Sequence, residues 1–262
     1  MKELANQILE LVISVANIEP GIIDSTFKIF KNVGYLGLRG ISNVSALKDI
    51  TEMVVEEKNF PKLHILQVHS EFDLSHTDPI VNEEDGTMVT AMDLYLKICG
   101  IRRPRFELIL GFILGACSTT DLALIEKERE FVVNLGKIGA EVLSKLSLTH
   151  YTPSGDYDPL TTLFYESAPR FPILRFLNSH ISPTADTGPR IIEALNNPFL
   201  LPHLVGGYFY VDGTQAPEWK FGYNPTNPSR GVHFMVNEKL YEDKVRMTNE
   251  NNNGIVPSQF VG

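Results

Sequence analysis

Ile125, Val132, Leu135, Val142 and Leu146 fall at the spacing of one helical face. A stripe that long constrains the fold more than any other feature of the chain. It predicts a single amphipathic helix over about 120–146. Leu47, Ile50 and Val54 repeat the pattern within "NVSALKDITEMVVEE" (43–57), and "TMVTAMDLYLKIC" (87–99) reads as a buried helix. Leu4, Ile8, Leu11, Val12 and Val15 predict another at the N-terminus, stopping near "EPG" (19–21), with a second starting around Ile22. "GYLGLRG" (34–40) reads as a glycine-punctuated turn, and 70–86 as loop. "LFYESAPRFPILRFLNSHI" (163–181) returns to apolar periodicity. Strand alternation is scarce, "GGYFYV" (206–211) being the best short case. The expectation is a mostly α fold, one domain over 1–262, with a helical core at 1–205 and an irregular segment at 206–262.

The 262 residues are 43% hydrophobic and carry a net charge of −9, an ordinary globular profile. The only basic cluster is "IRRPR" (101–105), so a phosphate-backbone binder is excluded and no nucleic-acid partner is expected. Two cysteines, Cys99 and Cys117, exclude a disulfide framework. The longest apolar run, "LILGFILGA" (108–116), is far short of the roughly 18 residues a membrane span needs. Glu10 interrupts any signal-peptide core in "MKELANQILELVISVANIEP". A cytoplasmic protein without membrane contact is the expectation.

The stretch densest in chemical groups is "HSEFDLSHTDP" (69–79), with His69, His76, Glu71, Asp73 and Asp78, and His64 upstream. The histidine spacing matches no two-histidine zinc motif on a helix, so the histidines read as the least informative groups. Glu71, Asp73, Ser75 and Asp78 are oxygen donors of the kind a hard cation takes, though the glycine and terminal glutamate of an EF-hand are missing. Elsewhere, Glu166 sits among apolar positions of "LFYESAPRF", a setting that suits a carboxyl group to acid–base work.

Asn32, Gly34, Tyr35, Leu36 and Gly40, followed by Glu71, Asp73 and Ser75 of "EFDLS", occur in an order that resembles the haem-thiolate peroxidases, the chloroperoxidases and unspecific peroxygenases. The resemblance spans about 22–210, through "PRIIEALNNPFLLPHLVGGYF". It implies a helical fold and a haem. It also implies a Mg²⁺ held by Glu71, the backbone carbonyl of Phe72 and Ser75, and a catalytic glutamate at Glu166. The chain departs from the family where the haem ligand should be: Asp24 and Ser25 replace the Cys-Pro pair, and Val33 replaces the turn histidine. Without a thiolate, haem-assisted oxygen–oxygen cleavage loses its electron donor.

Three functions follow as expectations. The first is a cofactor-free enzyme whose vacated pocket takes an apolar small molecule, with Glu166 and Asp73 supplying acid–base chemistry for cyclisation, dehydration or isomerisation. The second is an atypical peroxidase that keeps haem and Mg²⁺ with a non-cysteine ligand, either Asp24, which is correctly placed but a poor ligand, or a distant histidine that folds in. The third is a non-catalytic ligand-binding or interaction protein.

Overall fold

Leu108, Leu110, Phe112 and Leu114 are buried, while Glu107, Ile109 and Ile113 between them are half-buried. That period of two makes the longest apolar run of the chain a strand. The computed structural model describes residues 5–16, 27, 29–82, 85–115, 120–150, 157–168, 170–181, 187–211 and 233–236. Along them run β1 (Glu10–Ser14), β2 (Tyr35–Ile41), α1 (Val44–Val55), β3 (Ile65–Asp73) and a short hairpin of β4 (Ile80–Val81) and β5 (Met88–Val89). Next come α2 (Ala91–Cys99), β6 (Glu107–Leu114), α3 (Leu122–Gly139) and β7 (Leu143–His150). Then follow α4 (Pro159–Thr162), running into a π-helical turn (Leu163–Ser167), β8 (Phe176–Ile181), α5 (Thr187–Asn196), β9 (Gly206–Val211) and β10 (His233–Val236).

The expected mostly α fold is therefore corrected to α/β. Eight strands form one sheet in the order β1-β2-β3-β6-β7-β8-β9-β10, and every pairing in it is parallel. The helical core expected at 1–205 is an alternation of strands and helices. The helical fold that accompanies the peroxidase resemblance is not this chain's, and the segments carrying its two motifs are β2 and β3. A parallel strand must be reached by a crossover, and right-handed crossovers between successive neighbours put all the helices on one face. Accordingly α1 packs on α2, α2 on α3, and α3 on the π-helical turn. A parallel sheet wound in sequential order carries its helices on one face and leaves the other, inward face free of helices.

Side-chain alternation separates the two faces. Leu36, Leu38, Leu66, Val68, Leu110, Phe112, Leu146, Leu148 and Leu177 are buried beneath the helices. Tyr95 of α2 stacks edge-on with Phe112 at 5.2 Å, and Phe112 with Phe131 of α3 at 5.7 Å. These contacts each add about 0.5–1.5 kcal/mol beyond the area they bury. The helices begin where side chains cap their free N–H groups: Asn43 Oδ1 accepts from Ala46 N in α1, and Thr90 and Asp93 form a reciprocal capping box in α2.

The basic cluster 101–105 is structural. Arg102 donates to the carbonyls of Cys99, Ile101 and Ile138, and Arg103 to those of Phe60 and Val54. Both guanidiniums close the carbonyl ends of helices, where their charge also opposes the helix dipole. Among the described residues no helix is long and apolar enough to cross a membrane.

Candidate functional site

In parallel α/β sheets the loops that leave the C-terminal strand ends gather in one place, and sites are built there. Asp73 is the last residue of β3, and β3 is flanked by β2 and β6. Its carboxylate does two things at once. Oδ1 accepts from the backbone N–H of Ser75 at 2.9 Å, and Oδ2 lies 2.7 Å from Nδ1 of His76. The first bond closes a tight turn directly after the strand, which swings His76 back over the carboxylate. With Nδ1–H donating to Asp73, the basic nitrogen of the imidazole is Nε2. The His76 side chain is 48% exposed and that of Asp73 20%, so Nε2 can meet a solute while the carboxylate stays behind it.

Gly115, just past the end of β6, makes this possible. A Cβ at 115 would stand 1.8 Å from Asp73 Oδ2 and 3.0 Å from His76 Nδ1. The pair thus rests on bare backbone. Ser75 fixes the same turn from the other side. Its hydroxyl donates to Glu128 Oε2 of α3 and accepts from Gly115 N–H at 3.3 Å. Ser75 is 8% exposed and Glu128 fully buried. Strand β3, strand β6 and helix α3 are in this way tied to one loop of four residues.

The inward face below the loop is polar. Tyr35 donates its hydroxyl hydrogen to Gln67 Oε1 at 2.6 Å, and Arg39 Nη2 reaches the same oxygen at 3.2 Å. His69 is paired in register with Gly111, where a Cβ would stand 2.1 Å from the His69 Cδ2. The imidazole therefore lies flat against the neighbouring strand. Burial pushes the His69 pKa below its ordinary value of 6.5; Arg39 lowers it further and Glu71 opposes the shift. Burial therefore favours the neutral form of the His69 imidazole. Polar groups on a helix-free face near the C-terminal strand ends are the kind of lining a solute site uses.

The predicted site residues are placed as follows. Asp73 sits in the site, in contact with His76. Glu166 does not join it. Glu166 lies on the π-helical turn in the outer layer, where Oε2 accepts from Nε and Nη2 of Arg129 at 3.0 and 2.7 Å. It lines an outer cavity of about 380 Å³ together with Phe164, Tyr165, Glu193, Ala194, Asn197 and Leu200. Asp24 lies outside the described residues. The three oxygens proposed for Mg²⁺ are not brought together: Glu71 is exposed on the inward face, whereas the Ser75 hydroxyl is buried toward α3 on the other face. Phe72 packs its ring against the core. Among the described residues no group of three His, Cys, Asp or Glu side chains could hold a metal ion. The residues present therefore do not fit a haem-propionate cation.

His76 is a functional residue that histidine spacing alone does not single out. Its sequence signal is the i, i+3 separation from Asp73 with a serine between them, the form of a turn that folds an imidazole onto a carboxylate. Comparison of the chain with protein families, curated proteins and solved structures finds no match.

Proposed function

We propose that this protein is an enzyme that moves a proton on a small molecule seated at the C-terminal end of the parallel sheet, with His76 as the acid–base group. The observation that carries the reading is the 2.7 Å contact between His76 Nδ1 and Asp73 Oδ2, held over Gly115. A carboxylate behind an imidazole fixes its tautomer and stabilises the imidazolium that forms when Nε2 takes a proton. The same Nε2–H can then return the proton to a leaving hydroxyl or to another carbon. Dehydration and isomerisation are the reactions that need only this. Asp73 is the positioning residue and His76 the group that touches substrate. The polar inward face, with Tyr35, Gln67, Arg39 and His69, favours a polar solute over an apolar one.

The test is turnover of a panel of small hydroxy- and oxo-acids followed by ¹H NMR in D₂O, which reads proton exchange as well as net reaction. The wild type should exchange or eliminate at a carbon of at least one compound. His76→Gln should abolish that activity, and Asp73→Asn should lower it by roughly 10²-fold or more, within the range general acid–base catalysis contributes. Activity that survives in His76→Gln would sink the reading.

A further inference from the structure

We infer that Arg39, held by Gln67 and Tyr35, is the docking group for an oxyanion, a carboxylate or phosphate, carried by the molecule that reacts at His76. The inference rests on the acid–base reading of the strand ends and adds the substrate class to it. Three observations on the inward face lead to it.

The first concerns charge. The chain carries a net charge of −9; Arg129 on α3 is engaged by Glu166, and Arg175 by Glu107, which stands on the inward face in register with Ile65. Arg39 is not so engaged. Among the described residues its guanidinium makes one hydrogen bond, to the neutral amide oxygen of Gln67. Lys145 shares the inward face, level with Gln67 through Ile109, and its Nζ lies 6.0 Å from the centroid of the Phe176 ring. Among the described residues, Arg39 and Lys145 thus stand on this face without a carboxylate at ion-pair distance, unlike Arg175.

The second concerns orientation. Gln67 Oε1 receives both the Tyr35 hydroxyl and Arg39 Nη2. The Tyr35 bond fixes the amide, and the amide fixes one edge of the guanidinium. An arginine pinned at one nitrogen keeps its other N–H groups in a rigid fork, the geometry that pairs with two oxygens of a carboxylate or phosphate.

The third concerns reach. Leu38 pairs with Val68, which places Arg39 beside His69, and Asp73 is paired two residues further along β6 than His69 is. At standard strand spacings this separates the Arg39 and Asp73 α-carbons by roughly 8 Å. A small molecule spans that gap with an oxyanion at one end and a reacting carbon a few bonds away at the other. His69 lies at the Arg39 level, and its burial favours the neutral imidazole, leaving the positive charge to Arg39. Glu71 is exposed on the same face beside His69, so its charge opposes anion entry.

Calorimetric titration of the full-length protein with malonate, and separately with inorganic phosphate, tests the inference. Saturable binding of either anion should weaken about tenfold or more in Arg39→Gln and by less in Lys145→Gln. It should tighten in Glu71→Gln and persist in His76→Gln. Preference for malonate identifies a carboxylate substrate, and preference for phosphate a phosphorylated one. Binding that is unchanged in Arg39→Gln, or absent with both anions, overturns the inference. Arg39 is exposed, so the variant should fold, and circular dichroism checks that. The two readings fail separately. Anion binding that depends on Arg39 with turnover surviving in His76→Gln leaves the docking site and removes the acid–base role. Turnover lost in His76→Gln with KM unaltered in Arg39→Gln does the reverse.

Discussion

A Cβ at position 115 would stand 1.8 Å from the Asp73 carboxylate oxygen that holds His76. The glycine after β6 and the acid at the end of β3 therefore share one volume, and only the smaller residue lets the acid keep its place. Gly115→Ala should push the Asp73 carboxylate off His76, because the backbone on the other side of the contact cannot retreat. The chemical shifts of the His76 ring, followed by NMR, should move toward those of an imidazole without a carboxylate partner. Proton exchange on any substrate should fall nearly as far as in Asp73→Asn. Unaltered His76 resonances in Gly115→Ala would show that the pair does not depend on the close approach.

Ser75 and Glu128 predict a stability effect that is separate from catalysis. The serine hydroxyl and the Glu128 carboxylate meet in the interior between the loop and α3. Ser75→Ala removes the donor and leaves a buried acceptor without it, which costs about 1–3 kcal/mol. Urea unfolding should show a lower midpoint at an unchanged slope. A double variant with Glu128→Gln should be less destabilised than the sum of the two singles, because they share the interaction.

His69 makes stability depend on pH in a defined direction. Burial holds its folded-state pKa below the ordinary 6.5. In the window between that folded value and 6.5 the unfolded chain binds a proton that the folded chain does not. Unfolding is then favoured as pH falls, so stability is full above about 6.5 and declines on acidification through the window. Thermal melts between neutral and mildly acid pH should show a falling Tm in the wild type and a flatter profile in His69→Asn. A His69→Asn profile as steep as the wild type would assign the decline to other groups.

Much of the helical layer was legible in the sequence. Leu47, Ile50 and Val54 mark α1 correctly, and the segment 87–99 contains α2. "GGYFYV" is the strand β9 that its alternation suggested. The strands of the first half were not, and the reasons are physical. Leu11, Ile13 and Val15 alternate along β1, but Leu4, Ile8, Leu11 and Val15 also satisfy a helical stripe, and a short apolar run fits both periods. Strand β6 is covered on one face by helices and half-covered on the other, so "ELILGFIL" shows almost no polar alternation. The stripe over 120–146 joined α3 to β7 because Val142 and Leu146 fall in phase with Val132 and Leu135, although the helix ends at Gly139.

Glycines misled at β2. Gly37 reads as a turn, yet it lies in a strand where a Cβ would meet Val12 and Tyr35, and Gly40 takes a positive φ of 69° where the pairing with β3 shifts register. The acid of the candidate site was legible at Asp73. Its histidine was not, because the pairing depends on a turn and on a glycine forty residues away. Arg39 was hidden for the same kind of reason: only the parallel register brings β2, β3 and β6 side by side.

Cys99 gives the last prediction. It ends α2 fully buried, and Gly139 of α3 approaches so closely that a Cβ there would lie 3.4 Å from its sulfur. Burial pushes its thiol pKa from 9.0 up to about 12, with Arg102 opposing the shift only in part. A thiol in that state has almost no thiolate at neutral pH, and the thiolate is the form that reacts. Iodoacetamide labelling read by peptide mapping should leave Cys99 unmodified in the native protein and modify it fully in urea. Because modification requires opening of the α2–α3 contact, its rate should rise in Ser75→Ala if the loop and this helix pair open together. Rapid labelling of Cys99 under native conditions would show that α2 is not packed against α3 as described.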